Sequence, residues 1–211
     1  MCALQESIIL NRPAMSWTNR SSLPPLTESN DLRQTRRTWN EERSEFNRLK
    51  SLALALGVEE VIVSPDPATP ELRGLYIPDW AEDADLAREW GLPERKTRSL
   101  DRKSGTVILI NYWSIVEQGA CHTLAHEIGH HIYDLAEFTS HERSRPVTAV
   151  MRGFFPFDAY VHQDCDEICA ESFAHYLTGA ANKDVARHCE SVLRRVPEEH
   201  RRKIRMFLSG V

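Results

Sequence analysis

The sequence predicts an α+β domain, and three observations carry that prediction. Short runs rich in β-branched residues, Glu60–Ser64 and Thr106–Trp113, fall in the first half of the chain. Apolar residues at helical spacing dominate the second half. Strands first and helices last is the order of an α+β fold, not of alternating βαβ units. The 211 residues are 41% hydrophobic and 27% charged, enough to bury a core without disulfides.

Each element has a local reason. Residues 1–37 hold Pro13, Pro24 and Pro25 and no sustained apolar period, so they read as a disordered or loosely docked tail. That leaves 38–211 as a single domain. A first helix is predicted over 39–56. Thr38 and Glu41 make a capping box, Phe46, Leu49, Ala53 and Leu56 share a face, and Gly57 stands at the C-cap. The run 60–64 (EVIVS) is a strand closed by Pro65, followed by a Pro-rich loop over 65–71 and a second strand over 72–77. The acidic stretch 79–94 carries a short helix through Trp80, Leu86 and Trp90.

The run 106–113 (TVILINYW) is the clearest strand, expected at the edge of a twisted sheet. A helix follows to about residue 135, with Ser114 and Glu117 offering a cap at its start. Residues 136–163 read as loop. Helices are then predicted over 165–178, 183–195 and 197–208, the last with Pro197 in its first turn.

Composition excludes several classes of function. A formal net charge of −5 argues against a nucleic-acid binder. No apolar run is long enough to span a membrane. The short apolar stretch near the N-terminus lacks a basic flank, so a Sec signal peptide is not expected. A cytoplasmic protein, or one exported by another route, is the expectation. Cys2, Cys121, Cys165, Cys169 and Cys189 are scattered without CxxC spacing, which suits a reducing compartment and gives no thiolate cluster.

Imidazole is concentrated in one place: His122, His126, His130, His131 and His141 fall within twenty residues. Within that cluster, 126–130 is an HExxH sequence. Positions i and i+4 lie on one helix face, so His126 and His130 can point at one cation. Glu127 stands beside that face, where a carboxylate can take a proton from an activated water without being a ligand. Neutral imidazole suits Zn²⁺, which lowers the pKa of water it binds to about 7 and needs a third protein ligand with one position left open. The helix also carries an apolar stripe, Leu124, Ile128 and Ile132, on another face.

The third ligand is sought downstream. A His ten residues after His126 would mark a metzincin, but that position is Ala136. His141 lies in the loop. Glu167 is the better candidate, although Asp164 and Glu167 also fit a helix start. Glu171 follows on the same face and can hydrogen-bond a ligand histidine. His131 points about 100° away from His130 and is read as a neighbour. His122, four residues before His126, either supports a ligand from behind or is solvated, and the solvated position is preferred; His162 is a minor candidate near Tyr160, and Cys165 and Cys169 read as small apolar positions ahead of a ligand role for Cys169. The basic residues of 183–205 read as a solvated helical face.

The segments 121–133 (CHTLAHEIGHHIY) and 164–177 (DCDEICAESFAHYL) resemble the two signatures of gluzincin-type zinc metallopeptidases. More narrowly, they are similar to the catalytic domain of anthrax lethal factor and to the Pro-Pro endopeptidases. The matching positions are Glu167, Ala170, Glu171 and Phe173, with Tyr160 seven residues before Glu167. The resemblance implies a small zincin-like domain, with a mixed sheet over the HExxH helix and a helical C-terminal part. It implies a zinc-dependent endopeptidase acting on a protein or peptide, with bacterial effector or toxin use at the level of the family. His126, His130 and Glu167 would hold Zn²⁺, Glu127 would act as general base, Glu171 would orient a ligand histidine, and Tyr160 would donate to the oxyanion. A peptide would add as a strand along 106–113 and present its carbonyl to the metal. The segment 123–131 is also similar to the ImmA/IrrE proteases that cleave transcriptional repressors, but Glu171 stands where that family carries Asn. A non-catalytic binding protein on a zincin scaffold is the third reading. It has no need of Glu127.

Overall fold

The structure is a computed structural model that describes residues 28–64, 73–79, 105–111, 119–138 and 165–210. Its first element is helix α1, Glu28–Ala55. The helix therefore begins within the segment read as tail, ten residues before the Thr38 cap. The physical reason is an absence of breakers: 28–38 (ESNDLRQTRRT) contains neither Pro nor Gly. The predicted face of the helix is buried, with Phe46, Leu49, Ala53 and Leu56 joined by Leu52. Its end is a Schellman turn. Gly57 has φ 102°, its N–H donates to Leu54 O, and the Val58 N–H donates to Ala53 O at 3.1 Å.

Strand β1, Glu60–Ser64, follows with the predicted bounds, then β2, Gly74–Ile77, and β3, Val107–Asn111. The order is β1-β3-β2, with β1 parallel and β2 antiparallel to β3. Ile62 and Leu75 both sit opposite Leu109. The sheet is mixed, as expected, but the expected edge position of 106–113 is overturned. β3 is the central strand and is buried along its whole length. The run VILI is apolar at every position, which is the pattern of a strand covered on both faces; an edge strand with one wet face alternates. Among the described residues the terminal strands are β1 and β2.

Helix α2, Ala120–Leu135, is the HExxH helix. It starts at Gly119, φ 86°, with no side-chain cap there; Ser114 and Glu117 lie outside the described residues. The positive φ of Gly119 is a conformation that L side chains rarely adopt, which is why glycine suits this helix entry. Leu124, Ile128 and Ile132 are fully buried, and α2 packs on α1, β2, β3 and, most extensively, α3. Helix α3 is Cys165–Leu177, α4 is Lys183–Leu193 and α5 is Glu198–Leu208. The Asn182 side chain caps α4 by accepting from Asp184 N and Val185 N, both at 2.9 Å. Pro197 stands one residue before α5, at its N-cap.

One core joins these parts. Ile108, Ile110, Leu124, Ile128, Phe173, Ala174, Val185, Val192 and Ile204 belong to a single buried cluster. Part of the basic C-terminal stretch has a definite job. Lys203 Nζ donates to Ala55 O at 2.8 Å, and Arg48 donates to Phe207 O while lying over the Phe207 ring, so α5 is fastened to the end of α1. Cys121, Cys169 and Cys189 are free thiols. Among the described residues no helix is long and apolar enough to cross a membrane.

Candidate metal centre

Two helices that touch along their length build the site. On α2, His122, His126 and His130 recur every four residues and form one row. On α3, Glu167, Glu171 and His175 form a second row with the same spacing. The helices run in opposite directions, so His130 meets Glu167 and His122 meets Glu171 and His175. Their closeness has a local cause at Gly129. A Cβ there would stand 2.6 Å from Ala170 O and 2.8 Å from Ala170 Cα. Glycine facing alanine lets the two backbones meet, and that contact brings both rows within reach of one another.

His126, His130 and Glu167 each offer a donor atom, and these atoms lie within 4.8 Å of one another. His126 Nε2 is 3.1 Å from Glu167 Oε2, and His130 Nε2 is 3.7 Å from Glu167 Oε1. A tetrahedral zinc with ligand distances of about 2.0–2.1 Å has edges of about 3.4 Å, so the separations suit it. The side chains are 15%, 16% and 22% exposed, open enough for an ion and a reactant to approach. The two imidazoles stand nearly at right angles, and the Tyr76 ring lies parallel to His130 with centroids 6.0 Å apart. The donor set predicted from the sequence is thus brought together, and it fits a borderline divalent cation.

Glu171 stands behind this group. Its Oε2 is 2.9 Å from His126 Nδ1, so Nε2 is the nitrogen turned to Glu167. Its other oxygen is 2.7 Å from His122 Nε2 and 3.3 Å from His175 Nε2. Burial pushes its carboxyl upward, but hydrogen bonds with His122 and His126, and the nearby His175 imidazole, hold it well below the usual carboxylate range. His126 shows the reciprocal effect. Burial opposes its imidazolium, yet Glu167 and Glu171 draw its pKa up to about 10, so a cation must displace that proton to bind. The expectation for His122 is corrected here. It is paired with Glu171, because α3 lies where solvent was expected.

Glu127 faces the sheet. It is buried against β2, and a Cβ on Gly74 would come within 2.4 Å of its Oε1. The Tyr76 backbone N–H donates to it. Burial nonetheless pushes its carboxyl up to about 7, with the His126 charge opposing the rise. His131 is buried and makes contacts of its own, outside the donor group. Its Nε2–H donates to Leu56 O at 3.1 Å, and its Nδ1 lies 3.3 Å from the Tyr76 hydroxyl, which donates to Asp134 at 2.7 Å. Burial lowers the His131 pKa, against the Leu56 carbonyl and Asp134.

Sequence reasoning missed Gly74, Tyr76, Gly129 and His175. Faint signals for three of them exist: an isolated glycine in a strand marks close approach of backbone, a mid-helix glycine marks close packing, and His175 continues the Glu167–Glu171 spacing. Tyr160, His141 and His162 lie outside the described residues. Comparison of the chain with protein-family models, curated proteins and solved structures found no match.

Proposed function

We propose that the chain is a zinc-dependent endopeptidase whose partner is a protein or peptide substrate. The observation that carries this reading is the convergence of His126, His130 and Glu167 beside a buried Glu127 that stands outside the donor group. Bound there, Zn²⁺ supplies Lewis-acid chemistry, polarising a carbonyl and acidifying water. Glu127 takes the proton from water on a carboxylate oxygen and passes it to the leaving amine. Burial raises the Glu127 carboxyl, which strengthens it as a proton acceptor from water. Glu171 fixes the His126 tautomer, and β2 fixes Glu127. Peptide addition as a strand moves in this proposal from 106–113, which is central, to β2, the terminal strand whose backbone touches Glu127. Tyr160 keeps the oxyanion role that the resemblance implies.

The test is Glu127→Gln against a peptide library, with zinc content measured alongside. The variant is expected to hold zinc like the wild type and to lose about 10²- to 10⁴-fold in cleavage rate. Equal cleavage by both proteins, or none by the zinc-loaded wild type, removes the endopeptidase reading. Cleavage confined to one transcription factor favours the ImmA/IrrE-type alternative.

A further inference from the structure

We propose that His122, Glu171 and His175 form a second divalent-metal site, one helical turn along from the first, for a borderline cation such as Zn²⁺. The three donor atoms lie within 4.8 Å of one another. Glu171 Oε1 is 2.7 Å from His122 Nε2 and 3.3 Å from His175 Nε2, close to the edges that a tetrahedral or octahedral ion subtends. The two imidazole rings meet edge to face, with centroids 5.3 Å apart and planes at 74°. The architecture is that of the first group with the helices exchanged: two ligands four residues apart on α3 and one from α2, where the first has two on α2 and one from α3.

The chemistry of the donors sets the class of ion. Two imidazoles and one carboxylate select borderline divalent cations, whereas Mg²⁺ and Ca²⁺ favour all-oxygen shells. Side-chain exposures of 25%, 13% and 18% leave room for water to complete the coordination. An orienting role for Glu171 is already met by its contact with His126; that role does not need two more imidazoles on the other oxygen. Glu171 spans both groups, with Oε2 on His126 and Oε1 in the second site. That shared duty makes the second site the weaker one, by roughly 10–100-fold. The proposal does not depend on peptidase activity.

The experiment titrates the chelator-stripped full chain with Co²⁺ and with Zn²⁺, following heat and the cobalt d–d absorption. The wild type is expected to take two equivalents in two steps. His122→Ala and His175→Ala are each expected to lose the weaker step and keep the tighter one. His130→Ala is expected to lose the tighter step and keep the weaker, which separates the two sites. His175→Gln keeps the size and polarity of the position if alanine disturbs the helix, and circular dichroism verifies each fold. One equivalent in the wild type, or two in both His122→Ala and His175→Ala, overturns the proposal.

Discussion

Gly129→Ala tests how the two ligand rows are brought together. The new methyl would stand 2.6 Å from Ala170 O, 2.8 Å from its Cα and 3.0 Å from its carbonyl carbon. All three are backbone atoms, so no side-chain rotation relieves the contact, and α3 must retreat by about 0.8 Å to reach ordinary van der Waals distance. The helix itself gains about 1 kcal/mol from alanine over glycine. Overpacking costs about 1–3 kcal/mol, so the net loss of stability is about 0–2 kcal/mol. The metal group has less tolerance. His130 Nε2 and Glu167 Oε1 are already 3.7 Å apart. A retreat of that size opens the pair toward about 4.5 Å, well past a zinc edge of about 3.4 Å. Zinc affinity is therefore expected to fall by roughly 10–100-fold or more while the fold persists. Calorimetric titration with zinc, beside thermal unfolding of the metal-free protein, reads both quantities. A variant that binds zinc like the wild type, with unchanged Tm, refutes the idea that this contact sets the spacing.

Other expectations follow from neighbouring features. Gly74→Ala puts a methyl against Glu127 and Thr123 Cγ2, so turnover should drop about 10²-fold with zinc stoichiometry intact, and a parallel loss of zinc would point to damage elsewhere. His188 is half-buried beside the Tyr133 hydroxyl, and that burial lowers its pKa. A folded pKa below the unfolded value of about 6.5 means stability that is present above that pH and lost as pH falls, so His188→Gln should flatten the decline in denaturation midpoint between about pH 7 and 5. Burial, then Glu42 and Glu45, push the Cys121 thiol up to about 12, and burial raises Cys189 further. Peptide mapping after brief alkylation at pH 8 should find both thiols unmodified in the native protein and modified in denaturant; rapid native labelling would contradict the packing.

The sequence made some of this legible and left the rest hidden for physical reasons. Local signals were reliable where one segment carries the whole message. The helical row of His126 and His130, the Schellman glycine at 57 and the strand 60–64 all depend on residues within a turn or two of one another. The Glu167–Glu171 spacing was readable for the same reason. Relations between segments were not. Whether the apolar strand 107–111 is central or terminal depends on β1 and β2, and a solvated His122 becomes a paired one only because α3 lies opposite. Gly129 and Gly74 look like local weakness in a helix and a strand until the backbone or carboxylate they admit is known. Tyr76 joins three parts, Glu127, His130 and Asp134, through one backbone and one ring.

The two rows also bear on how firmly the chain is tied together. His130 and Glu167 are 37 positions apart in sequence and belong to different helices. A cation gripped by both is a removable cross-link that closes a loop of that length, a constraint worth about 3–4 kcal/mol in the chain-entropy model of cross-links. Unlike a disulfide, it is graded by the surroundings: each tenfold rise in free metal above Kd adds about 1.4 kcal/mol to the folded state. A chain with no covalent bridge among its described cysteines would then take its rigidity from the metal supply of the compartment it occupies.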